Sequence, residues 1–579
     1  MSDASRHRLV LALLLLVAAV VFLLGINWGL PSRAVDPFLF GDEPVWPGAK
    51  IAQLAGDRSS GDAVGADVDR NPVVRTGSPI VLNQTDQQRA EIIQRYRLYT
   101  YQPDEMITMM ALARMKPSQR DFDPKLYQYG GLWVYPVGAL IKVFAHPEPD
   151  RAYYLEHPEQ FGRFYVIARL YVVAFGIVGA WAVFWIARRL CGDLLTASFA
   201  TLCYTFMPVV VNMAHEAKPH LPAAVLMLLA TIAATRFVDT GRKRWWTLAA
   251  ALCGAAAGMV LSAVVAMVVP VVMVMWRRGE KMGQRIVVLL GSLVIAADVY
   301  FLTNPYVLVH LLRDRAVLVS NLQNSQAMYR APASVQGLWN AVTLIGVGTA
   351  PMIGIAGSLS IVGFLLSLSR GSTELAEVKR RVGDPIGWII IAVSALVCMQ
   401  FAMLATGKPA EYARFALLPD IALAIVGVVG ASKICRSIGP RVVLLSMIFL
   451  GTAAYGASYV WHFLRDSVER TTRLIDANRL HELNERGATA MMLAAEPAPY
   501  SLPPVNLFKW KLALMPDDAR GANFGRIALP VNGVWVRAAD RIDPDRREQF
   551  WTRPRLTPTP MSWAAKPLEV IEVRQDARP

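Results

Sequence analysis

Short basic clusters punctuate a series of apolar runs in this chain, and that alternation leaves few folds open to it. The clusters are Arg188–Arg189, Arg242–Lys243–Arg244, Arg277–Arg278 with Lys281 and Arg285, Lys379–Arg380–Arg381, and Lys433 with Arg436 and Arg441. Between them lie runs of about 20 apolar residues, the length that crosses roughly 30 Å of hydrocarbon. Lysine and arginine collect in loops on the cytoplasmic side. With 54% apolar and only 18% charged residues among 579, the chain lacks the polar surface that soluble domains of this length require. The sequence predicts an all-α polytopic membrane protein. The formal net charge of +15 is largely held in these loops and gives no sign of nucleic acid as a partner. All five cysteines lie in or beside apolar segments. Neither a disulfide framework nor a structural zinc site is expected.

Placing each cluster in the cytoplasm fixes the rest. Arg6 and Arg8 precede an apolar run that reads as an uncleaved first span within residues 1–30. A long extracytoplasmic first loop, 31–162, follows, and its apolar piece Leu132–Ala145 is too short to span and reads as an interfacial helix. The transmembrane bundle occupies 163–464. Trp246–Trp276 has basic clusters at both ends and reads as a hairpin turning near Ser262, with Gly254 and Gly258 allowing close packing. About 11 crossings result. The tail, 465–579, mixes a helical pattern at Asp466–Arg486 with strand-like Gly533–Arg537 and reads as a small extracytoplasmic α/β domain. Cytoplasmic loops are short, and neither G-x-x-x-x-G-K-[ST] nor G-x-G-x-x-G occurs. The chemistry must use a substrate available outside, without ATP or a nucleotide sugar.

Several polar motifs fall on the outer face. Tyr101-Gln102-Pro103-Asp104-Glu105 opens a helical pattern through Met115, so its acidic pair sits where the helix dipole favours carboxylates. Asp42–Glu43 is a second acidic pair with no helix behind it. The motif His215-Glu216-Ala217-Lys218-Pro219-His220 has the wrong spacing for a zincin. Three readings stay open there: metal ligation, with Asp104, His215, Glu216 and His220 as candidates, a hydrogen-bonding site for sugar or phosphate, or a polar helix cap. Lys218, Lys408 and Arg414 are candidates for a phosphate, against ordinary snorkelling to headgroups. Asp298, inside a span, is costly unless it has a partner, and Lys218 or Arg414 is the expected one. Tyr127, Tyr129, Trp133 and Tyr135 suit either stacking on a sugar or an interfacial belt.

Over most of the membrane region the sequence resembles the GT-C superfamily of membrane glycosyltransferases, in the branch of protein O-mannosyltransferases and aminoarabinose transferases. The residues that carry the resemblance, in order, are Pro103-Asp104-Glu105, the tract Phe122–Pro136, Ala187-Arg188-Arg189-Leu190, Asn304-Pro305-Tyr306 and Arg414-Phe415-Ala416-Leu417-Leu418-Pro419. The resemblance implies a polyprenyl-phosphate sugar as donor, Asp104 as general base with Glu105 beside it, and Arg414 near the carrier phosphate. It departs at the second motif: relatives often place an aspartate five residues after the histidine, where this chain has His220, and Glu216 is the nearby carboxylate. Residues Phe40–Gln94 and the tail lie outside the resemblance and are expected to shape acceptor choice.

The expectation is an inverting glycosyltransferase of the inner membrane, multi-pass, with its active site on the periplasmic face. It would move a monosaccharide to a protein, lipid or glycan acceptor. Asp104, Glu105 and Glu216 are the catalytic candidates, and His215, Lys218, His220, Lys408, Arg414 and Tyr129 the substrate-binding ones. No cofactor is firmly implied, and a divalent metal stays open. The alternatives are a lipid-linked sugar flippase or transporter, and a non-catalytic scaffold in envelope polysaccharide assembly.

Overall fold

A computed structural model describes residues 3–56, 85–127, 129–277, 281–329, 335–369, 384–404, 410–435, 437–467, 471–485, 490–493, 503–514, 533–538 and 568–573. Its contacts divide the chain into two compact units. The first comprises Met1–Leu24, Arg114–Leu140 and Ala168–Val460, the second Gly25–Ala113, Ile141–Ile167 and Trp461–Pro579.

The first unit is a helical bundle. Among the described residues, seven helices are long and apolar enough to cross a membrane, or up to nine if each of two bent pairs is one span. The expected eleven counts two further pieces: helix Lys243–Met259, and residues 261–276, which are shorter apolar helix. These two form the expected hairpin, with the helix ending at Val260 and a 3-10 turn at Leu261–Met267 before helix Val268–Trp276. Its glycines serve a different contact from the one anticipated. A Cβ on Gly254 would lie 2.3 Å from Ala296 O, and one on Gly258 2.5 Å from Thr303 Oγ1. They let the hairpin pack closely on the next span, Met282–Thr303, and its end at Asn304, rather than on its own second half.

The bends were not anticipated, although their cause is written in the sequence. Leu194–Thr205 and Pro208–Ala214 meet at 58°, and Ala341–Thr349 and Pro351–Gly363 at 113°. Each second piece begins at a proline, which supplies no N–H to the preceding turn. Ala350, at the sharper bend, has φ +70°. Elsewhere helix ends follow ordinary chemistry: Asp193 accepts from Thr196 N at 2.8 Å, and Gly241, with φ +67°, closes His220–Thr240.

The second unit gathers the first loop and the tail. Trp28 packs against Phe463 with ring centres 5.0 Å apart, and Gly29 N donates to Asp466 O at 2.9 Å. Helix Asp86–Leu98, capped by Thr85, carries the fully buried Arg97. That guanidinium donates to both Asp36 oxygens at 3.0 and 2.9 Å and to Leu155 O at 2.8 Å. Arg97→Met should therefore strand a buried carboxylate and cost about 3–5 kcal/mol of stability. Most of that loss should return in the Asp36→Asn, Arg97→Met double variant, read by thermal unfolding in detergent. The tail contributes helix Thr472–Glu485 and a sheet in the order β2-β1-β3-β4. Strands β1 (Ala490–Leu493), β2 (Lys511–Leu514) and β3 (Gly533–Ala538) run parallel around β1, and β4 (Leu568–Val573) is antiparallel to β3. Among the described tail residues, helix Thr472–Glu485 lies against strand β4 of this mixed sheet.

Candidate functional site

In the second unit, Pro103 leads into helix Glu105–Arg114. The acidic pair therefore straddles the helix start. Glu105 is fully buried, and its Oε2 lies 2.6 Å from the Thr100 hydroxyl. The same hydroxyl is 2.8 Å from Gln102 O, so the loop folds back on the carboxylate and holds it. Asp104 is only half-buried, and its backbone N–H donates to Gln102 Oε1 at 3.3 Å. Glu105 is thus locked into the turn, and Asp104 stands at the helix N-terminus. The second acidic pair, Asp42–Glu43, is a surface feature, with exposed Glu43 bound to Arg89 at 2.6 Å.

In the first unit, the stretch 215–219 joins helices Pro208–Ala214 and His220–Thr240, and its motif residues are buried. Glu216 Oε2 stands 3.1 Å from Lys218 Nζ, and Glu216 Oε1 accepts from Asn212 Nδ2 at 3.0 Å. The two charges form an ion pair inside the protein, which offsets the cost of burying each. His215 reaches two backbone carbonyls, Val211 O at 2.7 Å through Nδ1 and Leu24 O at 2.8 Å through Nε2. Burial pushes its imidazole down to about 4, overcoming the two carbonyl contacts. His215 thus ties the junction to the end of the first span.

His220 and Arg414 come together. Both line one narrow cavity, about 40 Å³, whose wall includes Met227, Val260, Val265, Val397, Phe401 and Leu418. A file of rings leads into it. Tyr129 meets His220 edge-on at 6.2 Å, His220 meets Phe415 at 5.1 Å, and the Arg414 guanidinium lies 5.1 Å from the Phe415 ring centre. The 3-10 turn Ala410–Ala416 presents Arg414 there, just before helix Leu417–Ile434. A buried fork of donors beside an aliphatic wall is suited to a phosphate carried on a hydrocarbon chain.

The other candidates are placed differently. Lys408 lies outside the described residues. Asp298 is exposed on its helix and supports neither Lys218 nor Arg414 as expected, because its helix turns that side away from the bundle. Among the described residues no group of three or more His, Cys, Asp or Glu stands ready to hold a metal. Of the metal candidates, Glu216 is engaged by Lys218 and Asn212, and His220 is packed between two rings.

Sequence reasoning missed how two of its own motifs meet. The tract Phe122–Pro136 docks on Asn304–Tyr306: Gly131 N donates to Asn304 Oδ1 at 2.7 Å, and Phe122 N to the Tyr306 hydroxyl at 2.9 Å. The paired glycines make this possible, since a Cβ on Gly130 would lie 1.9 Å from Gly258 O and one on Gly131 1.9 Å from Thr303 O. Asp123 adds a second clasp, taking the Tyr127 hydroxyl at 2.5 Å and contacting His310 Nε2 at 2.7 Å. These contacts position Tyr129 against His220.

Residues 161–302 match the model of a family described as dolichyl-phosphate-mannose-protein mannosyltransferase. No curated protein matches the chain. Solved structures that match the chain include two of one protein. The crystal structure of ArnT from Cupriavidus metallidurans bound to undecaprenyl phosphate covers 84% of this chain and 97% of its own, at 13% identity and a TM-score of 0.42. The apo form of the same protein covers 78% and 91%, at 13% identity and a TM-score of 0.39. The matched segment includes the inward span ending at Arg188–Arg189 and the whole His215–His220 junction, but neither Asp104 nor Arg414. Over residues 161–302, about a quarter of its length, this multi-pass chain therefore matches the GT-C membrane mannosyltransferase family that its sequence resembles.

Proposed function

We propose that the protein is an inverting glycosyltransferase that moves a monosaccharide from a polyprenyl-phosphate carrier to an acceptor on the extracytoplasmic face of the inner membrane. The observation that carries this reading is the cavity in the first unit, where Arg414 and His220 sit beside an apolar wall. The family match supports it independently. In the reaction, the acceptor hydroxyl attacks the anomeric carbon while its proton passes to the Asp104 carboxylate. The bond from that carbon to the phosphate oxygen breaks, and the electron pair leaves on the phosphate. One in-line displacement inverts the anomeric centre.

Each residue has a task in this reading. Asp104 is the base, since it is the half-exposed member of the acidic pair. Glu105, held by Thr100, fixes the turn that aims it. Arg414 stabilises the charge that develops on the leaving phosphate. The Glu216–Lys218 pair and His215 set the junction from which His220 projects. The test is purified protein in sealed proteoliposomes with a radiolabelled polyprenyl-phosphate monosaccharide. Protein-dependent release of polyprenyl phosphate, with the sugar recovered on an acceptor, is expected. Flux of the intact lipid-linked sugar across the bilayer without release would replace this reading with a flippase.

A further inference from the structure

The second unit contains another cavity, about 230 Å³ in volume, which the donor reading does not use. Three distant stretches build most of its wall: residues 27–35 after the first span, 95–101 at the end of helix Asp86–Leu98, and 466–474 after the last span, with Glu159 and Pro504 completing it. The last of these belongs to the tail, which the sequence resemblance does not reach.

Its chemistry is distinctive. Tyr96, Tyr99 and Tyr101 line it together with Arg95 and Arg473. The Arg95 guanidinium lies 5.2 Å from the Tyr99 ring centre, and that of Arg473 4.2 Å from Tyr101. Hydroxyl contacts fix two of the rings: Tyr96 donates to Pro503 O at 3.0 Å, and Tyr101 meets Thr471 Oγ1 at 2.5 Å. The arginines are balanced by two lining carboxylates, Asp466 and Glu159, so the charged wall is neutral overall. Arg95, Arg473 and Asp466 are all buried. Ser32, Ser467 and Thr471 add hydroxyls.

We propose that this cavity binds a carbohydrate ring, and that the acceptor is a neutral glycan. A sugar presents hydroxyls that both donate and accept, and C–H faces that pack on aromatic rings. A wall of guanidinium donors, carboxylate acceptors and tyrosine rings meets each of those needs. An acyl chain would leave two buried arginines and an aspartate facing hydrocarbon, which is costly. A peptide acceptor would call for an open groove or a sheet edge.

The cavity also adjoins the acidic turn. Thr100 lines it and holds the Glu105 carboxylate at 2.6 Å. The residues that close the cavity thus run directly into Asp104. The glycan's role as acceptor rests on the transferase reading, whereas its binding does not.

The test uses full-length protein in nanodiscs without donor, titrated with the methyl glycosides of glucose, mannose, galactose and arabinose. Binding is read by saturation-transfer difference NMR. Leu474→Trp and Ala34→Trp each fill the cavity from a different stretch of chain, and thermal unfolding checks that both fold. At least one glycoside should saturate the wild type, and binding should weaken by about tenfold or more in both variants. No saturable binding to the wild type, or wild-type binding in both filled variants, overturns the proposal. Release of polyprenyl phosphate from the lipid-linked sugar is followed on the same preparations. Release without glycoside binding keeps the transferase reading and rejects the cavity, and binding without release does the reverse.

Discussion

Asp104→Asn should lower sugar transfer by about 10²–10⁴-fold, the usual contribution of a positioned general base. Asparagine keeps the shape of the side chain and its place ahead of helix Glu105–Arg114, but it cannot take the acceptor's proton. Binding of the lipid-linked donor should be unchanged, because the cavity attributed to the donor phosphate is built from other residues. The loss should fall on kcat. The neighbouring carboxylate provides the contrast. Glu105→Gln keeps an acceptor for the Thr100 hydroxyl and should cost stability more than chemistry, since Glu105 is fully buried. Near wild-type transfer by Asp104→Asn would remove the base assignment.

Arg414→Ala should be the second large effect, about 10²–10³-fold in kcat/KM, as for loss of a donor aimed at developing negative charge. Arg414→Lys should recover only part, because an ammonium lacks the planar fork that grips two phosphate oxygens. The Arg414 side chain also packs on Phe415, so unfolding midpoints should accompany the kinetics. A loss confined to stability, with normal turnover in the folded fraction, would make Arg414 a packing residue.

Much of the membrane architecture was legible because burial in lipid leaves a strong signal. Runs such as Pro158–Cys191 and His220–Thr240 are long, apolar and closed by Arg188–Arg189 or Gly241. The hairpin at 246–276 followed from charge placement alone. The bends at Pro208 and Pro351 were readable as prolines, but their angles depend on what packs against them. The site was less legible. His215, Glu216, Lys218 and His220 read alike as polar residues at a span end. Only side-chain geometry separates a buried ion pair and a histidine held against Leu24 from the imidazole that reaches the Arg414 cavity. Gly130 and Gly131 fall inside the tract Phe122–Pro136, yet their purpose, close approach to Gly258 and Thr303, appears only once helices distant in sequence are packed together. The cavity around Arg95 and Arg473 was hidden for the same reason: the distant stretches that line it share no local pattern.

The account stands or falls on where the carrier phosphate binds. A structure of the full-length protein with a non-hydrolysable polyprenyl-phosphate analogue measures this directly. The phosphate should lie within hydrogen-bond distance of the Arg414 guanidinium and beside His220, with the chain running over the Met227, Val260 and Phe401 wall. A phosphate bound elsewhere, with Arg414 and His220 untouched, would contradict the donor site proposed for this protein.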